Sequence, residues 1–172
     1  MTDLSDTVWG YAEPAHREYK SAQAHESFLE SEGFTVESGV AGMPTAFVGT
    51  YSDGDTVLGF FAEYDATPGN SQKPVTHREP VVEGAAGYED CHNALGAGGT
   101  AAACAVKDVV AEYDLDATVK LFGIPQRNSV PANPIWPGRG IPTTWMLSWP
   151  GIRDPTTACS KVRDWDRIGC SS

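Results

Sequence analysis

From Asn93 to Glu112 the chain reads as a helix rich in small residues: Gly96, Gly98, Gly99, Ala101, Ala102 and Ala103. A helix with so little side chain can lie close against a sheet, and this feature constrains the fold most. Strand candidates flank it. "TVLGFFAEY", Thr56 to Tyr64, is near-continuously apolar, as expected of a buried central strand. "ATVKLFGIP", Ala117 to Pro125, is the second. Upstream, Leu4 to Ala12 reads as a short helix ended by Pro14. Glu18 to Glu32 reads as a longer one, with Ala22, His25, Phe28 and Leu29 at helical spacing and Gly33 as its C-cap. Phe34 to Ser38 and Thr45 to Tyr51 are β-rich. Ser52-Asp53-Gly54-Asp55 reads as a hairpin turn into Thr56. The order α-α-β-β-β-α-β predicts an α/β fold, a mixed sheet with helices packed on it.

A long stretch, Asp65 to His92, joins the apolar strand to the small-residue helix and has few apolar residues. Connections of this length are functional or disordered. Two polar clusters bracket it: Glu63-Tyr64-Asp65 at the strand's C-terminal end, and Asp90-Cys91-His92 at the head of the helix. In open α/β sheets ligands bind there. Asp90 and His92 are two apart, so in an extended stretch both side chains point one way and could meet one ion, with Cys91 pointing away. Asp65 could orient His92 or bind the ion itself. The bland alternative makes Asp90 an N-cap, His92 a hydrogen-bonded turn residue, Cys91 a buried small residue, and Glu63 and Asp65 solvated acids. "GAGG", Gly96 to Gly99, is no phosphate loop, because it lacks Lys-Ser/Thr and does not directly follow a strand.

At 172 residues the chain is long enough for one domain with a core. Its net charge of −11 argues against nucleic acid as a partner. No apolar run approaches the ~20 residues a membrane helix needs, so no membrane partner is expected. "MTDLSDTVWGYAEP" has neither the basic nor the apolar region of an export signal, which makes a cytoplasmic location the expectation. Cys91, Cys104, Cys159 and Cys170 form no Cys-x-x-Cys pair and are expected as free thiols. The acidity suits a cationic partner or a halophilic surface whose self-repulsion salt screens.

That acidity is uneven. Residues 1–123 hold 20 acids and 6 basic residues, and residues 124–172 hold 3 and 6. The second segment also carries seven of the twelve prolines and four of the five tryptophans. Proline at this density blocks helix interiors and central strands, so 124–172 is expected to be an irregular, poorly ordered Pro/Trp-rich tail behind a domain at 1–123.

In order along residues 5 to 125, the chain resembles the zinc aminoacylase and carboxypeptidase family of amidohydrolases, in the branch of p-aminobenzoyl-glutamate hydrolase and hippurate hydrolase. "LGFFAEYDATPGNSQ" is similar to the family's Glu-Tyr-Asp-Ala-Leu-Pro-Gly stretch. "GYEDCHNALGAGG" stands where the family has Gly-His-Gly-Cys-Gly-His-Asn-Leu-Leu-Gly-Ala-Gly, and "VKLFGIP" where it has Leu-Phe-Gly-Thr-Pro-Ala-Glu-Glu. The resemblance implies a partial zinc-peptidase-like catalytic domain. Zinc or another divalent metal would be the cofactor, and a small amide or dipeptide-like molecule the substrate. It makes His92 a metal ligand, Asp65 the acid that orients it, and Asp90 a ligand in place of a cysteine. Cys91 then falls on a glycine and Tyr88 on a histidine.

Downstream the match fails. The general base falls on Arg127, which is permanently cationic, and a metal ligand falls on Asn128. No histidine follows His92. The family's lid domain, with its dimer contacts, has no counterpart at this length. The expectation is a truncated, frame-disrupted or degenerate member without turnover, binding metal weakly or not at all. Two alternatives stand beside it: an active zinc amidohydrolase with an atypical ligand set, and a non-catalytic binding module using the tail.

Overall fold

A computed structural model of the chain describes residues 1–125. Two helices open it, α1 (Thr2–Tyr11) and α2 (Tyr19–Ser31). Strands β1 (Thr35–Ser38), β2 (Phe47–Tyr51) and β3 (Thr56–Glu63) follow, with one turn of 3-10 helix at Val40–Gly42. The long helix α3 (His92–Glu112) and strand β4 (Ala117–Ile124) complete it. The α/β fold expected from the sequence is observed. The tail beyond Pro125 lies outside the described residues, and with it Arg127, Asn128, Cys159 and Cys170.

Local chemistry sets the helix ends. α1 stops at Tyr11, where Ala12 turns into the left-handed region (φ 44°) and its N–H bonds Val8 O at 3.3 Å. Pro14 then bars continuation. The first turn of α2 is satisfied from outside the helix. The Glu13 carboxylate accepts the N–H of Lys20 (3.0 Å) and of Ser21 (2.9 Å) and the Ser21 hydroxyl (2.9 Å). Gly33, at φ 88°, ends α2 as expected.

The four strands lie in the order β1-β2-β4-β3. β1 pairs antiparallel with β2, β2 antiparallel with β4, and β4 parallel with β3, from Thr56 opposite Ala117 to Glu63 opposite Ile124. Two expectations are corrected by this order. Asp53-Gly54 does not close a hairpin, because β4 inserts between β2 and β3. The turn is instead tied to the start of β4: Asp116 Oδ1 accepts the Asp55 N–H (3.1 Å), and the Thr118 hydroxyl donates to Gly54 O (2.8 Å). Nor is Thr56 to Tyr64 central. Among the described residues β3 is an edge strand, and β4, buried at every position but Lys120, holds the middle. The apolar run does not record how many neighbours the strand has: α3 packs on β3 near its C-terminal end, only Ala62 is buried, and Leu58 is exposed.

α3 lies on the sheet through its glycines. A Cβ at Gly96 would sit 2.2 Å from Glu63 O, and one at Gly99 1.9 Å from Phe61 O. Only a bare Cα fits there, so the small-residue reading is correct. By length and composition α3 is also apolar enough to cross a membrane, so the expectation drawn from run length does not hold for it. In this fold its inner face, Gly96, Ala97, Thr100, Ala103, Cys104 and Val110, is buried. Val8, Leu29, Phe47, Tyr64, Val119 and Leu121 form the fully buried centre of the core. Each such aliphatic or aromatic side chain contributes roughly 2 kcal/mol by burial.

Candidate functional site

The C-terminal ends of β3 and β4 meet the N-terminus of α3, and three acids converge on one imidazole there. Asp65, just past β3, is fully buried, and its Oδ1 lies 2.8 Å from His92 Nδ1. His92, first residue of α3, is 5% exposed. Its other nitrogen, Nε2, lies 3.2 Å from Glu63 Oε2 and 3.5 Å from Asp90 Oδ2. Burial pushes the His92 pKa down. The hydrogen bond that Asp65 accepts and the charges of Asp65, Glu63 and Asp90 push it up, and the net result is raised.

The three residues singled out from the sequence do come together, by another route than expected. Residues 90–92 are not extended. Cys91 is the N-cap of α3 in the left-handed region, φ 61° and ψ 27°, and this bend brings Asp90 beside His92. Asp90 accepts the His92 N–H at 3.4 Å and is not the N-cap. Cys91 is exposed, not buried. A left-handed residue is most at ease as glycine, and position 91 is where the resembling family carries one. Asp65 is not a solvated acid, and Glu63, named from the sequence in the strand-end cluster but given no role there, joins the site. Its two-residue spacing from Asp65 along a strand was the signal that could have found it.

Buried polar side chains also hydrogen-bond to one another inside the fold, and of these only His25 was marked by helical periodicity. Tyr64 is fully buried, and its hydroxyl donates to Thr45 O at 2.6 Å. The Thr45 hydroxyl donates to Glu18 Oε2 at 3.0 Å. Glu18 is fully buried, and that burial raises its pKa. Tyr88, 4% exposed, donates to Tyr64 O at 3.0 Å. His25 is fully buried, with Nδ1 2.9 Å from the Thr100 hydroxyl.

The arrangement is chemically suited to a cation. With Asp65 accepting from Nδ1–H, the Nε2 lone pair faces two carboxylates, and three like charges in one place require a proton or a metal ion between them. Ligands about 2.1 Å from a tetrahedral ion stand about 3.4 Å apart, and both Nε2–carboxylate separations are close to that spacing. Among the described residues, however, no group of three or more His, Cys, Asp or Glu is disposed to hold an ion by itself. What is present is two donor edges sharing Nε2, part of a ligand set.

No family model matches the chain. One of the subunits of p-aminobenzoyl-glutamate hydrolase from Escherichia coli K12 is 38% identical over 125 residues, 72% of this chain and 26% of that protein. The chain therefore spans about a quarter of the curated relative's length. Among solved structures, the Bacillus subtilis YXEP protein, described as a dinuclear metal binding peptidase of the M20 family, superposes with a TM-score of 0.57 at 21% identity, over 72% of this chain and 34% of that one. A candidate aminohydrolase from methicillin-resistant Staphylococcus aureus gives 0.56 at 18% identity, over 76% and 32%. These two likenesses establish the fold, and the sequence match adds the ancestry. With that match running through the strand end and helix head that hold Asp65, Asp90 and His92, the chain belongs, over the part it spans, to the amidohydrolase and peptidase family of p-aminobenzoyl-glutamate hydrolase.

Proposed function

We propose that the His92 centre is one part of a divalent-metal site for hydrolysing amides of N-acyl amino acids or p-aminobenzoyl-glutamate-like molecules, and that this chain does not turn them over by itself. The observation that carries the first half is the arrangement around His92. Asp65 holds Nδ1, which fixes the ring and leaves Nε2 to act as a ligand, and Glu63 and Asp90 reach the same atom. His92 and Asp90, with Glu63 beside them, would supply part of the ion's ligand set, the ion being zinc in this reading. When bound, it would supply Lewis-acid activation of an amide carbonyl or of water. The protein's own contribution is to orient the imidazole, bury it from solvent and gather negative charge.

The second half rests on what surrounds that set. Among the described residues it is incomplete. In the sequence, Arg127 and Asn128 stand where the resembling family carries two glutamates. Arginine cannot accept a proton, and a permanent cation cannot serve as a metal ligand.

The test combines elemental analysis of the dialysed protein with zinc titration and hydrolysis of hippurate and p-aminobenzoyl-glutamate. The expected result is less than one zinc retained per chain, a weak association abolished by His92→Ala, and hydrolysis equal to buffer. Two tightly held ions, or amide hydrolysis lost on His92→Ala, would make this chain a working enzyme.

A further inference from the structure

Asp90 and Glu63 come from segments far apart in sequence, yet both meet one imidazole nitrogen. Something must hold the loop that carries Asp90 against the end of β3. Two fastenings are visible. One is a backbone bridge: Thr67 N–H donates to Gly87 O (2.9 Å) and Gly87 N–H to Thr67 O (3.0 Å). The other is Tyr88. Its hydroxyl donates to the carbonyl of Tyr64, the residue between Glu63 and Asp65, at 3.0 Å. Its ring is buried and packs against Trp9 of α1 with centroids 6.1 Å apart. Burial, with a smaller contribution from the carboxylates of Glu13, Asp65 and Glu18, raises the phenol's pKa against an opposing hydrogen bond with Ser21, so the hydroxyl stays a donor.

We infer that Tyr88 is a positioning residue of the His92 centre: its hydroxyl clamps the loop bearing Asp90 to the peptide between Glu63 and Asp65, and so sets the spacing of both carboxylates from His92 Nε2. The inference rests on the reading of that centre as a cation site. It assigns a task to a side chain outside the proposed ligand set, at the position where the resembling family carries a histidine.

A matched pair of variants separates positioning from plain stability. Tyr88→Phe keeps the ring against Trp9 and removes the clamp. Tyr64→Phe removes another buried hydroxyl, the one on Thr45 O, and leaves the clamp in place. Two readouts are taken on each folded variant: zinc affinity by competition with a chromophoric chelator, and the 15N–1H imidazole signal of the His92 Nδ1–H bonded to Asp65. Tyr88→Phe should weaken zinc at least fivefold and shift or broaden the His92 signal, whereas Tyr64→Phe should lower the melting temperature and leave both readouts near wild type. Unchanged readouts in Tyr88→Phe, or equal changes in the two variants, overturn the inference. If wild type shows no His92-dependent zinc binding, the cation reading fails, and the His92 signal alone decides whether Tyr88 positions the ring. If Tyr88→Phe does not fold cooperatively, hydrogen exchange in wild type decides. The Tyr88 hydroxyl and His92 Nδ1–H should then become exchangeable in one shared opening, and a hydroxyl that exchanges independently overturns the proposal.

Discussion

His25 lies fully buried, with the ring of Phe47 stacked at 6.4 Å and that of Tyr64 at 5.5 Å. The Thr100 hydroxyl donates to Gly96 O (3.0 Å), so His25 Nδ1 must carry the proton in its 2.9 Å contact with Thr100. Its Nε2 is then a buried lone pair without a hydrogen-bond partner. Protonating it would place a charge among aromatic rings, and burial lowers the His25 pKa to about 4. The unfolded chain, with a histidine near its ordinary value, binds more protons than the folded one between about pH 6.5 and 4. The neutral ring therefore favours the fold fully above about pH 6.5, and this advantage is lost as pH falls toward 4. A shift of that size corresponds to about 3 kcal/mol. Glu18, raised by burial, acts in the opposite sense above the ordinary carboxylate range. The clean readout is thus the difference between wild type and His25→Asn in urea unfolding at several pH values. Wild type should lose stability relative to the variant from pH 6.5 to 4, and parallel curves would refute the assignment. The helical spacing of the sequence marked His25 as inward-facing; its tautomer and its orphan nitrogen depend on Thr100, which lies 75 residues away.

At the scale of elements, the contact of α3 with β3 is the one most open to test. Gly98 and Gly99 are neighbours in sequence and differ in surroundings. A Cβ at Gly98 meets nothing within 4 Å, while one at Gly99 would lie 1.9 Å from the backbone oxygen of Phe61. Gly98→Ala should stabilise the protein by about 0.5–1 kcal/mol, through helix propensity and the lost freedom of the unfolded chain. Gly99→Ala should destabilise it by about 3 kcal/mol, because backbone must move away from backbone. Urea midpoints at constant slope give both numbers, and equal effects at the two positions would mean that α3 does not sit on β3 as described. The need for small residues was legible in the run of glycine and alanine. Which of them are essential was not, since the helical rotation of α3 is set by the sheet beneath it.

For the molecule as a whole, charge is the dominant long-range term. Residues 1–123 carry 20 acids against 6 basic residues. The ion pairs among the described residues offset little of this. Lys73 pairs with Glu79, and Lys107 is shared by Glu32 (3.2 Å) and Asp108 (2.8 Å); the Lys73 and Glu79 side chains are largely solvated. Self-repulsion is screened by salt, whose Debye length shrinks from about 10 Å at 0.1 M to about 3 Å at 1 M. The melting temperature should therefore rise between about 0.1 M and 2 M KCl, and more than for a near-neutral domain of the same size. A flat or falling curve would rule out a surface adapted to high salt.

Helix positions, strand positions, the fold class and the ancestry were all determined by the sequence itself, because periodicity, small residues and motif order are local properties. The triad of Asp65, Asp90 and His92 was legible for the same reason, each residue lying at a strand end or a helix head. Tertiary structure decided what depends on contacts between distant segments. It placed β4 between β2 and β3, because the Asp53-Gly54 turn is anchored to Asp116 and Thr118 and does not fold back on itself. It put Cys91 in a left-handed bend, which no side-chain preference predicts, and so brought Asp90 beside His92. It set Glu63 against His92 and supplied the partners of Tyr64, Tyr88, Thr45 and Glu18, since a buried polar group is stable only where a partner from another segment meets it.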